Sequence, residues 1–149
     1  YECEYEEEFL QALKLACCLK DWINEVNEDT ILSNFSIPPG ELRGRIERAK
    51  WLIYSMHEIG KIIKVKRERI NEIKKMEIRV DCGVKEELIP LVLLPGIGRI
   101  KSRRLYEHGI KSVADIRTTN PERLYRLIGK MTTENLMKFL GIEKGNDKE

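Results

Sequence analysis

The chain has 149 residues, 42% of them hydrophobic and 35% charged, with 27 Lys and Arg against 25 Asp and Glu. That is length for one ordinary domain or two small ones, with enough apolar side chains for a core and a charged outer face on every element. The net charge of +2 hides an asymmetry: residues 1–30 carry nine acidic side chains against two lysines, a net of −7, which leaves +9 on the rest. A basic body of this kind points either to a polyanion partner or to solvated Lys/Glu helix faces.

No stretch keeps up a period-two alternation, so the expected fold class is all-α. The first helix is predicted over about residues 5–26, with Phe9, Leu10, Leu13, Ala16, Cys17, Ile23 and Val26 as its apolar stripe. The acidic start, "YECEYEEE", is unlike a secretory leader. Cys3, Cys17, Cys18 and Cys82 lack metal-ligand spacing, and neighbours such as Cys17 and Cys18 point about 100° apart on a helix. They are expected to be small buried apolar side chains in a reducing compartment. No metal site and no catalytic residue is predicted.

A short helix is predicted over about residues 29–35. "SIPPGEL" then ends one element and begins the next, with Pro39 suited to a first helical turn. The third helix should run from about Glu41 to Ile63. The basic segment from Lys61, with eight Lys and Arg against three Glu over residues 61–79, is expected to continue helically to Gly83, a C-terminal cap. A domain boundary falls there, giving 1–83 and 84–149. Beyond it, short helices are predicted over about 84–94, 99–108, 112–118, 121–129 and 132–140, with Ser112 and Thr132 as N-caps, Pro121 opening a helix, and a frayed polar tail, "EKGNDKE". The longest apolar run, "LIPLVLLPGIG", is interrupted by Pro90 and Pro95 and is too short to span a bilayer. A soluble, intracellular protein is expected.

Two features carry chemistry. On the third helix, Leu42, Ile46, Ala49, Ile53, Met56 and Gly60 fall on one stripe about 80° wide, whereas Trp51 lies roughly 160° from Ala49. A tryptophan on the polar side either packs against another domain or stacks on an unpaired base, with Arg48 one turn earlier placed for the adjacent phosphate. The second feature is "LVLLPGIGRIKSRRLYEHGI", residues 91–110. Here Gly96-Ile97-Gly98 makes a tight turn between helices. Its amides and the following helix N-terminus suit a phosphate, with Arg99, Lys101, Arg103 and Arg104 behind it and Leu94, Ile97, Ile100 and Leu105 holding the helices together.

This turn resembles the helix-hairpin-helix motif, h-x-G-h-G-x-x-x-A-x-x-h, which grips DNA backbone without reading bases. Ser102 replaces its usual alanine, and "RLIGKMTTENLMKFLGI" looks like a degenerate second copy turning at Ile128-Gly129-Lys130. Neither a G-x-x-x-x-G-K-[ST] loop nor a dinucleotide fingerprint is matched.

Over nearly its full length, to about residue 140, the chain resembles the C-terminal part of the archaeal superfamily-2 DNA repair helicases. These are also called Holliday junction migration helicases, similar to human helicase Q and the helicase region of polymerase theta. "LKDWI", "PPGELR", "GVKEEL" and the glycine hairpin carry the likeness. The resemblance implies a ratchet-type helical bundle followed by a small helix-hairpin-helix domain. It also implies a parent enzyme that moves single-stranded or forked DNA 3′ to 5′ with ATP and Mg2+ bound in separate motor domains. This chain, lacking the motor, would not hydrolyse ATP alone.

In that family a ratchet-helix tryptophan stacks on a base, with an arginine about two turns earlier; Trp51 matches the former. The arginine position is Gly44, so Arg43 and Arg48 are the candidates for that role. The family's terminal basic-small-basic element falls on Lys101-Ser102-Arg103. The DNA-binding set is thus Trp51, Arg48, Arg43, Gly96, Ile97, Gly98, Arg99, Lys101 and Arg103. A monomeric, cytoplasmic, nucleoid-associated archaeal protein is implied. A free-standing hairpin adaptor or a protein-docking and dimerising module remain as other readings of the same residues.

Overall fold

The computed structural model describes residues 2–38 and 40–142, with side chains from Tyr5 onward. Every regular element among the described residues is helical, as the absence of period-two patterning requires. Pro39, the Cys3 side chain and the expected frayed tail at 143–149 lie outside the described residues. The chain divides into two compact units, residues 1–86 and 87–149.

The first unit holds α1 (Glu2–Ile23), α2 (Glu28–Phe35), α3 (Glu41–Ile62) and α4 (Arg67–Cys82). Its core is Cys18, Trp22, Ile31, Ile37, Leu42, Ile46 and Val80, with Leu19, Ile23, Val26, Ala49 and Ile53 packed around it. Only the C-terminal half of α1 enters this core. Phe9, Leu10 and Leu13, expected on the buried stripe, are exposed, and so are Ala16 and Cys17. The core-facing side of α1 is set instead by Cys18 and Trp22, one turn apart, because the other helices of the unit cover only that end.

The α3–α4 connection corrects the expected continuous helix. The chain leaves α3 at Ile63, and Lys64 adopts a left-handed φ of 58°. Val65 N–H donates to Gly60 C=O at 2.9 Å and Lys64 N–H to Lys61 C=O at 3.2 Å. These are the paired bonds of a Schellman motif, which satisfy the last carbonyls of α3 and reverse the chain. The two helices then run antiparallel. Lys50 Nζ bonds Asp81 Oδ1 at 2.9 Å near one end, while a Cβ on Gly60 would stand 2.7 Å from Ile70 Cδ1 near the other. Met56, placed on the core stripe by periodicity, is 58% exposed, because α4 covers only part of that face. Gly83 caps α4 as expected, with its N–H donating to Arg79 C=O at 2.8 Å.

The second unit begins with a 3-10 turn at Glu86–Leu88, whose first residue still falls in the first unit, and a single short helix, α5 (Ile89–Val92). This replaces the longer helix expected over 84–94, since Pro90 occupies the first turn of α5 and Pro95 follows it closely. Then come α6 (Arg99–Glu107), α7 (Val113–Thr118), α8 (Pro121–Ile128) and α9 (Lys130–Phe139). Ser112 and Asp115 form a reciprocal capping box on α7, and Asn120 caps α8 ahead of Pro121. Backbone donation from Lys111, the Ser112 hydroxyl and the Ser112 N–H hold the Asp115 carboxyl below its usual range. Thr132 does not cap α9; the N-cap position is Gly129, three residues earlier than expected. Leu91, Leu105, Ile110, Ile116, Leu124 and Leu136 are fully or almost fully buried in this unit.

Candidate nucleic-acid interface

On α3 the outward face is built around Trp51, whose side chain is 66% exposed. Helical spacing places Arg43 and Glu47 on the same line, and Arg43 Nη2 meets Glu47 Oε1 at 2.8 Å in an exposed pair. Arg45 turns back onto Glu41, donating through Nε at 3.1 Å and Nη2 at 2.6 Å. Arg48, one turn before Trp51, bonds only to Gly44 C=O at a long 3.4 Å and has no carboxylate partner among the described residues. Of the three arginines, Arg48 therefore has the least to lose in meeting a phosphate. Ser55 spends its hydroxyl on Trp51 C=O at 2.9 Å. Tyr54 and Leu52 extend the exposed apolar area. Arg48 and Leu52 also line an open groove of about 690 Å³ between α1 and α3, with Lys14, Leu15 and Glu8 among the residues of its α1 wall.

In the second unit the first hairpin turn runs Leu94 to Gly98. Gly96 takes φ 76°, and a Cβ there would meet Thr132 Cγ2 at 3.3 Å, so this position requires glycine. Gly98 is different: its backbone is extended and open space surrounds the position of a Cβ. Nothing among the described residues calls for glycine at 98. Ile97 is buried and its N–H donates to Leu94 C=O at 3.1 Å, so its place is to close the turn. Leu94 and Leu105 are buried with it, but Ile100 is 73% exposed and does not join the helices as expected.

The cations divide as well. Lys101 Nζ donates to Thr132 Oγ1 at 2.6 Å and to Gly96 C=O at 3.3 Å. Arg103 pairs with Glu87 at 2.9 Å and lies over the Tyr106 ring, while Arg104 donates to Leu127 C=O at 3.0 Å. These side chains brace the unit. Arg99, the first residue of α6, stands at the uncapped helix start, where an anion is favoured. The second copy is better preserved than its sequence implied: Gly129, Lys130 and Met131 open α9, again with no side-chain cap. Lys130 and Met131 were not among the sequence-derived site residues, although "IGKM" against "IGRI" was the signal for them.

Comparison with known proteins gives the same division. Residues 1–83 match the family model described as archaeal helicase, domain 4. The chain belongs to that family. Residues 88–141 match a SAM-like helix-hairpin-helix tandem, so this member of the helicase family carries paired hairpins after its domain-4 segment. Over 147 residues the chain is 41% identical to the ATP-dependent DNA helicase Hel308 of Pyrococcus abyssi, covering 96% of this chain and 21% of the relative. It is 42% identical over 144 residues to Hel308 of Methanocaldococcus jannaschii, covering 97% of this chain and 12% of that protein. Hel308 of Thermoplasma acidophilum is 36% identical over 120 residues. The chain thus spans about a fifth or less of the length of these curated relatives.

Among the described residues, no helix is long and apolar enough to cross a membrane, and no group of three His, Cys, Asp or Glu side chains could hold a metal ion. Burial pushes the Cys18 and Cys82 thiols up, away from the reactive thiolate form.

Proposed function

We propose that this chain handles the DNA strand within an ATP-dependent 3′-to-5′ DNA helicase of replication-fork repair and recombination. α3 is the ratchet helix: Trp51 stacks on a base of single-stranded DNA, and Arg48 or Arg43 holds the neighbouring phosphate. The paired hairpins grip the backbone of the same strand as it leaves. The observation that carries this function is the 66% exposure of Trp51 on a helix whose opposite face is already packed, in a unit matching archaeal helicase domain 4. No G-x-x-x-x-G-K-[ST] loop occurs in the sequence, so ATP and Mg2+ belong to motor domains of the parent protein, which are this chain's intramolecular partners. The place of action is the archaeal cytoplasm, at the nucleoid, as a monomer.

The test is fluorescence anisotropy of a labelled single-stranded oligonucleotide titrated with the 149-residue chain over a salt series. Binding with weak sequence preference and a steep loss of affinity with salt is expected, since backbone cations displace condensed counterions. No binding at low salt would sink the proposal. A salt-insensitive dimer would instead favour the second reading, that the exposed Trp51 and Leu52 form a protein-docking face.

A further inference from the structure

Lys101 sits in the basic-small-basic element, where a direct phosphate contact is the natural expectation. The structure places its ammonium elsewhere. Lys101 is the third residue of α6 and Thr132 the third residue of α9, and the two side chains meet at 2.6 Å. The same ammonium reaches back to Gly96 C=O at 3.3 Å, inside the first hairpin turn.

This meeting point relates two internal copies. Gly98-Arg99-Ile100-Lys101-Ser102 corresponds to Gly129-Lys130-Met131-Thr132-Thr133 position by position. Each begins with a glycine that offers no side-chain cap, then a cation. Each continues with a large apolar side chain, and Ile100 and Met131 are both 73% exposed. The fifth residue of each is a buried hydroxyl that bonds within its own turn, Ser102 Oγ to Arg99 C=O and Thr133 Oγ1 to Gly129 C=O, both at 2.9 Å. Only the fourth position departs from likeness, lysine against threonine, and there the copies bond to one another. A donor-only ammonium with a hydroxyl and a carbonyl as its acceptors is a directional bridge between the hairpins.

We propose that Lys101 is a positioning residue that locks the two hairpin turns at one spacing, so that they engage DNA as a single unit. This inference rests on the DNA-binding function proposed above. Its structural half does not: the bridge joins the turns whether or not DNA is present. The Lys101 ammonium reaches both acceptors, so a shift of one turn against the other breaks a charged hydrogen bond.

The experiment uses the 149-residue chain and the variants Lys101→Met, Thr132→Val, the double variant and Thr132→Ser. Anisotropy titrations with single-stranded DNA across a salt series are paired with amide hydrogen exchange at both turns. Lys101→Met and Thr132→Val should each weaken binding about 5- to 10-fold, the double variant no further than the worse single one, and Thr132→Ser should behave as wild type. The slope of affinity against salt should stay unchanged in Lys101→Met. Exchange should quicken in both turns when either partner is removed. The inference is overturned if Lys101→Met lowers the salt slope by about 1 while Thr132→Val binds normally, the signature of a direct phosphate contact. It is equally overturned if the single effects add, or if exchange quickens only in the mutated turn. Were the wild-type chain not to bind DNA at all, the proposed function would fall, while the exchange data would still decide whether the bridge exists.

Discussion

The two tryptophans of the first unit occupy opposite environments on helices of equal length. Trp22, on α1, is 9% exposed; its indole Nε1 donates to Val80 C=O at 2.7 Å, and its ring lies against Gly83. Trp51, on α3, is 66% exposed, with the Arg43–Glu47 pair preceding it on the same line of the helix. At Trp22 the polar tip finds a buried carbonyl and the rings find a residue without a Cβ, so the side chain does what tryptophan does in a core. At Trp51 the backbone is a regular helix and the opposite face is packed, so neither its own helix nor its own core accounts for it. A large aromatic side chain left in water beside cations is what a stacking platform needs.

Three experiments sharpen or break that contrast. The largest expected effect is at the buried site. Gly83→Ala would put a methyl 2.5 Å from Trp22 Cε2 at a φ of 65°, where an L side chain is already strained. A loss of about 3 kcal/mol in denaturant unfolding is expected, from overpacking together with the left-handed penalty. An unchanged unfolding midpoint would mean that Trp22 moves freely and is not a fixed core residue.

Trp51→Ala should divide its effects the other way. Stability should change by less than about 0.5 kcal/mol, as at other exposed positions. Affinity for single-stranded DNA should fall by about 1–3 kcal/mol, the usual loss of one base-stacking aromatic. A drop of several kcal/mol in thermal stability would make Trp51 a packing residue and erase the contrast with Trp22.

The smallest effect lies one residue before it. Lys50 points to α4, and the hydrogen bond it donates to Asp81 holds its ammonium above the ordinary lysine range, with burial working against this. A raised folded-state pKa means that the pair's contribution is full below the unfolded lysine value and is lost as pH rises through the folded one. Both side chains are a third exposed, so Lys50→Met should cost only about 0.2–1 kcal/mol at neutral pH. That cost should vanish in strongly alkaline solution, as read from unfolding curves across pH. DNA binding should be almost unaffected, which would confirm that residues 50 and 51 serve different faces.

Much of this was legible in the residue pattern. Period 3.6 marked α2, α3 and α6–α9 to within a few residues, because capping side chains, prolines and glycines act locally. The outward phase of Trp51 needed only the geometry of one helix. Three places were not legible. The break at Lys64 was hidden because a non-glycine residue takes the left-handed position in the Schellman turn. The N-terminal half of α1 reads as core-facing because periodicity says which face is apolar, not whether anything covers it. The bracing of Lys101, Arg103 and Arg104 was missed because a cation near a hairpin looks the same in sequence whether it faces solvent or spans to another helix.

By itself, then, the sequence determined the helical class, the bounds of the helices that carry local caps, the two glycine turns and the outward phase of Trp51. Each of these depends on interactions within a few residues. Only the tertiary structure decided that the glycine at 83 also admits the Trp22 ring, that Arg48 has no carboxylate partner among the described residues while Arg43 and Arg45 are paired, and that Lys101 joins two hairpins. Those depend on which groups distant in the chain arrive at the same point, and no local pattern encodes that meeting.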